Sequence, residues 1–117
     1  MYADLFFDIP DARDLVEASI RVFGALGAKN YEQRDSSSYL GGLYFMAEIE
    51  GVQIEIALAD DEEAGDLRFW LSVESSLAHD VFEQVLDQRV IENLRGAGAR
   101  LARVHDFGKN TMRVVAY

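Results

Sequence analysis

Apolar residues recur along this chain with two periods, one helical and one of two residues. Tyr2 to Phe7 (YADLFF) reads as a first strand. Leu15, Val16, Ile20, Val22, Phe23 and Leu26 then recur at helical spacing. They follow Asp11-Ala-Arg-Asp14, where Asp11 is placed to cap a helix and early acids suit its dipole. Arg13–Glu17 and Glu17–Arg21 fall at i,i+4 on the wet face, and Gly24 and Gly27 offer the stop.

Tyr31 to Gly42 (YEQRDSSSYLGG) is polar and serine-rich, the composition of a short edge strand followed by a loop. The period then becomes two. Leu43, Phe45, Ala47 and Ile49 alternate with Tyr44, Met46 and Glu48, and Val52, Ile54, Ile56 and Leu58 with Gln53 and Glu55. Glu50-Gly51 between them predicts a two-residue hairpin turn. In Leu67 to Glu74, Leu67, Phe69, Leu71 and Val73 turn inward, opposite Arg68, Trp70, Ser72 and Glu74.

A second helix is predicted from about Leu77 to Arg95, capped by Ser75 or Ser76 and ended by Gly96 or Gly98. Its apolar stripe is Val81, Phe82, Val85, Leu86, Val90, Ile91 and Leu94. Leu101 to Asp106 and Met112 to Tyr117 read as two strands joined by a Gly108-Lys109-Asn110 turn. The order β-α-β-β-β-α-β-β, in one domain over residues 1–117, predicts an α+β fold. A largely antiparallel sheet would carry both helices on one face, with ferredoxin-like wiring as a candidate.

Charge changes the picture most. The net charge is −10, but residues 1–88 hold 19 acids and 5 bases, whereas residues 89–117 hold 2 acids and 6 bases. From Asp35 to Leu67 there are nine acids and no Lys or Arg. Such a surface repels polyanions, which argues against nucleic-acid binding, and attracts cationic partners. Without cysteine there is no disulfide, thiolate or cysteine–zinc chemistry. The N-terminus lacks a basic signal region, and the apolar runs are far below the ~20 residues of a membrane span. A soluble, cytoplasmic protein is expected, with no membrane partner.

Candidate chemistry narrows further. Residues 59–66, ADDEEAGD, hold five carboxylates, but contiguous acids with Gly65 late in the loop do not match a calcium hand. His79 and His105 lie on different elements, and no paired-histidine metal motif is present. Ser36-Ser37-Ser38 has no base beside it; Gly24/Gly27 and Gly96/Gly98 follow helices, where no anion site forms, and Gly41-Gly42 leads into a strand without a Lys-Ser/Thr partner. No catalytic residue, metal or cofactor is expected. Asp80, Glu83 and Asp87 form a second acidic stripe, which the helix N-terminus explains.

The remaining candidate is the sheet face opposite the helices. Tyr44, Met46, Glu48, Gln53, Glu55, Arg68, Trp70, Ser72 and Glu74 fall on it, mixing aromatic anchors with carboxylates as binding patches do. Asp60, Asp61, Glu62, Glu63 and Asp66 of the acidic loop, with Asp35, are expected to add negative field along one rim. The competing readings are a solvated turn and a Trp70–Tyr44 pair that only stabilises the sheet.

YEQRDSSSYLGGLYF followed by IEIALADDEEAGDLRFWLSVE, within residues 31 to 74, resembles small acidic immunity proteins. These accompany toxins in bacterial polymorphic-toxin and contact-dependent growth inhibition systems. The resemblance implies a non-enzymatic inhibitor that binds one cognate toxin domain, and it assigns no residue beyond the acidic loop and sheet face. The alternatives are a small-molecule-binding or enzymatic α+β domain using a cleft beside His105 or the serine loop, and a homodimer through the sheet face.

Overall fold

The computed structural model describes residues 1–117. Seven strands form one sheet: β1 (Tyr2–Asp8), β2 (Tyr31–Asp35), β3 (Leu43–Ile49), β4 (Val52–Leu58), β5 (Phe69–Ser75), β6 (Arg100–His105) and β7 (Arg113–Ala116). Their spatial order is β2-β3-β4-β5-β1-β6-β7, and every pairing is antiparallel. Helix α1 (Leu15–Leu26) leads to the β2–β4 meander. Helix α2 follows β5 and comprises His79–Val85, a π turn over Leu86–Ile91, and Glu92–Gly96.

The central strands β4-β5-β1-β6 have the expected ferredoxin-like wiring. The path from β1 through α1 to the meander ends on β4, two places away, and β5 fills the gap. The path from β5 through α2 lands on β6, beyond β1. The serine-rich segment adds β2 at one edge, a seventh strand beyond the six of the predicted order, and β7 extends the other edge.

Both helices cover one face. Leu5, Phe7, Ile54, Ile56, Phe69, Leu71 and Val73 pack there against Val22, Phe23, Leu26, Phe82, Leu86 and Leu94, in a cluster of 24 buried residues. Each such Leu, Ile or Phe contributes about 1.5–3 kcal/mol, against about 0–1 for an exposed ion pair, so this cluster dominates stability.

Local chemistry shifts several boundaries. Asp14, not Asp11, caps α1: its Oδ1 accepts the Glu17 N–H at 2.9 Å. Asp11 instead accepts from Arg21, which leaves Glu17 to Arg13 alone. With that start, the inward stripe is Leu15, Ala18, Ser19, Val22, Phe23 and Leu26, while Val16 and Ile20 stay exposed. Val81 is likewise exposed at the start of α2, where the π turn allows adjacent Val90 and Ile91 both to be buried. The α2 N-cap position is Ala78, without a side-chain cap. Ser75 Oγ accepts the Leu77 N–H and donates to the Gly51 carbonyl, tying the end of β5 to the β3–β4 turn. Glu50 and Gly51 in that turn both have positive φ, 49° and 81°. Leu67 precedes β5 and packs on the other face of the sheet.

Ser19 Oγ is fully buried under α1 with no hydrogen-bond partner. Removing an unsatisfied buried hydroxyl, as Ser→Ala does by putting hydrogen in its place, removes its desolvation cost. Ser19→Ala is expected to raise the unfolding free energy by about 1 kcal/mol, measurable by urea denaturation with an unchanged slope. A loss of stability would mean that the hydroxyl is satisfied.

Candidate functional site

The face without helices is not bare. On the central strand, Asp4, Phe6 and Asp8 alternate onto it, and all three are buried. Phe6 joins Ala64 and Val104 in a second small cluster, with Leu67, Trp70, Met112 and Val114 packed around it. Register places Trp70 between Phe6 on β1 and Ala57 on β4, and Glu55 between Met46 and Ser72.

Two loops fold onto this face. Tyr39, from the segment after β2, stacks on Tyr44 at 4.7 Å and meets Trp70 at 5.8 Å between ring centroids. Phe107, from the β6–β7 turn, meets Trp70 at 6.3 Å and Phe6 at 6.2 Å. A continuous aromatic row, Tyr44–Tyr39–Trp70–Phe107–Phe6, therefore crosses the open face.

Carboxylates hold the rings of that row. The Tyr39 hydroxyl donates to Glu55 Oε2 at 2.8 Å. Burial and the adjacent carboxylate push its pKa up to about 12, so it remains a donor throughout the physiological range. Trp70 Nε1–H donates to Asp4 Oδ1 at 3.1 Å. Burial raises the Asp4 pKa, and the indole hydrogen bond partly opposes that shift.

The acidic loop is built, not slack. Asp61 Oδ1 accepts the Glu63 N–H and starts a 3₁₀ turn, Glu62–Ala64, whose Ala64 is buried against Phe6 and Val104. Gly65, at φ 60°, ends the turn. Asp66 is engaged internally, in two hydrogen bonds from Arg100 that lower its pKa. Asp60, Glu62 and Glu63 make no side-chain bond.

Structure thus divides the sequence-derived set. Tyr44, Glu48, Glu55 and Trp70 share the open face, with Asp60, Asp61, Glu62 and Glu63 in the loop at the end of β4. Arg68 is a staple: it donates to Asp8 at 2.6 Å and to the Ile9 carbonyl at 2.9 Å, and its guanidinium lies over Phe69. Asp35 pairs in register with Leu43, on the side the helices occupy, and so lies apart from Tyr44 and the loop rim. Sequence reasoning missed Asp4, Phe6, Tyr39 and Phe107. Alternation about Leu5 marks the first two, whereas no periodicity marks the loop aromatics.

The arginines of this face are paired: Arg34 with Glu32, Arg68 with Asp8 and Arg100 with Asp66. Glu48, Glu74, Asp60, Glu62 and Glu63 retain no cationic partner, so the face carries a surplus of negative charge.

Other chemistry-bearing groups are committed elsewhere. Ser36 Oγ accepts the Ser38 N–H, closing the serine turn. Glu83 lies near His79 and His105, and two hydrogen bonds from Arg103 hold its carboxyl below the usual range. No three His, Asp or Glu side chains converge to hold a metal ion. No helix is long and apolar enough to cross a membrane. No family model matches the chain, and no curated protein or solved structure matches it either.

Because its pKa is raised in the folded state, Asp4 favours folding below the unfolded carboxyl value of about 3.9 and loses that contribution as pH rises through the folded value. Asp4→Asn keeps an acceptor for Trp70 and removes the buried charge. Its melting temperature is expected to exceed that of the parent at pH 7, with the gap closing by about pH 3. A variant less stable at pH 7 would show that the buried charge is favourable.

Proposed function

We propose that this protein is a non-enzymatic, immunity-type inhibitor that acts in the cytoplasm and masks a cationic, nuclease-like toxin domain with its open sheet face. The observation that carries this reading is the aromatic row bordered by unpaired carboxylates, on the one sheet face that no helix covers. Aromatic side chains supply interface energy at low entropic cost. The carboxylates Glu48, Asp60, Glu62, Glu63 and Glu74 supply field.

Many nuclease active sites grip phosphates with cationic side chains. A protein presenting carboxylates to such a site competes with the nucleic acid and gains electrostatic steering, which raises association rates above the ~10⁵–10⁶ M⁻¹s⁻¹ of neutral pairs. Close charge pairs across such an interface contribute about 1.5–7 kcal/mol of coupling. The sequence resemblance over residues 31 to 74 supports the same role, because it covers the Tyr39 loop, β3, β4, the acidic loop and β5.

Co-expression with a toxin encoded beside it is expected to restore growth and yield a co-purifying complex. Neither protection nor complex would remove the proposal. Charge reversal at Asp60, Glu62 and Glu63 spares the Asp61 cap and the Asp66–Arg100 pair. That triple lysine variant is expected to associate at least about tenfold more slowly in low salt. The difference should shrink at ~1 M salt, where the screening length is about 3 Å. An unchanged low-salt rate would take the acidic loop out of the interface.

A further inference from the structure

Between the Tyr39 loop and the β6–β7 turn the open face sinks into a hollow of about 170 Å³. Its walls include the rings of Tyr39, Trp70, Phe107 and Phe6, and Asp60 and Asp61 stand among its lining residues. No lysine or arginine lines it. Sites for whole small molecules run to about 300–1,000 Å³, so this space suits one side chain.

We infer that this hollow is an anchor pocket for a single arginine side chain of the partner protein, its guanidinium stacked on Trp70 and Tyr39 and paired with Asp60 and Asp61. The inference rests on the open face being a partner-binding surface and names the chemistry of its central contact.

Three features select a cationic, planar guest. Aromatic faces carry negative quadrupole density and attract cations, most strongly for tryptophan. The Trp70 N–H and Tyr39 O–H donate to the carboxylates of Asp4 and Glu55. Donation to an anion moves electron density into each ring and leaves its orientation fixed before binding. Finally, Asp60 has no competing cation, and Asp61 uses one oxygen for its cap, leaving the other to accept. A purely apolar guest would fill the walls but place no counter-charge beside Asp60 and Asp61. Arginine fits better than lysine because its guanidinium stacks flat and donates in a fork to carboxylates.

Trp70 is the only tryptophan, so its emission and its indole N–H resonance report on this pocket alone. The full-length protein is titrated with N-acetyl-arginine methylamide, its lysine counterpart and its uncharged citrulline isostere. The expected result is a saturable change at Trp70 with the arginine compound, weaker with lysine, and at least about tenfold weaker with citrulline. Asp60→Asn with Asp61→Asn retains a capping oxygen at position 61. This double variant is expected to weaken arginine binding about three- to tenfold and leave citrulline unchanged. Equal binding of arginine and citrulline, tighter binding of lysine, an unaffected double variant, or no saturable response at Trp70 would each overturn the assignment. The two proposals fail separately. Protection from a toxin without guanidinium binding loses only the pocket, and guanidinium binding without protection loses only the inhibitor role.

Discussion

The structure depends on β1 being buried on both sides from Ala3 to Asp8. As the central strand it puts Leu5 and Phe7 into the main core and Asp4, Phe6 and Asp8 under the opposite face. Both crossover helices lie over the first face, because right-handed crossovers that start from the oppositely directed β1 and β5 and run to opposite sides, each towards a parallel strand two places away, pass over the same side of the sheet. The second face must then be covered by something other than helices. Loops do it: Ala64 from the acidic turn, Tyr39 from the serine segment, Phe107 from the last hairpin. The aromatic row is therefore first a solution to burying Phe6 and Val104, and only then a surface.

That origin explains its polar composition. A ring laid over a sheet must place its N–H or O–H, and here Asp4 and Glu55 receive them. The basic C-terminal segment acts similarly on the acids. Arg89 pairs with Glu50, Arg100 with Asp66 and Arg103 with Glu83. Of the carboxylates left without a cationic partner, Glu48, Asp60, Glu62, Glu63 and Glu74 lie on the open face and its rim, and Asp80, Asp87 and Glu92 lie on α2.

Much of this arrangement is legible in the residue pattern, and the limits are physical. Two-residue alternation in β3, β4 and β5 places Tyr44, Glu55 and Trp70 on one face, because a strand has only two sides. The antiparallel order and the Glu50-Gly51 turn follow from local chemistry in the same way. Leu67 departs because it lies before the strand, where alternation no longer governs direction. Arg68 and Asp66 look like free charges in sequence. Their partners Asp8 and Arg100 stand 60 and 34 residues away, brought close only by the fold. Tyr39 and Phe107 are beyond any periodic reading, since a loop side chain goes where a gap in the face admits it.

In the proposed role the open face, rather than the helices, meets the partner. Hydrogen–deuterium exchange of the protein alone and in complex with the toxin that it is proposed to mask tests this most directly. Slowed exchange in the Tyr39 loop, the 59–66 turn and the β6–β7 turn, with α1 and α2 unchanged, is the predicted result. Protection confined to α1 or α2, with those three loops exchanging as in the free protein, would contradict it.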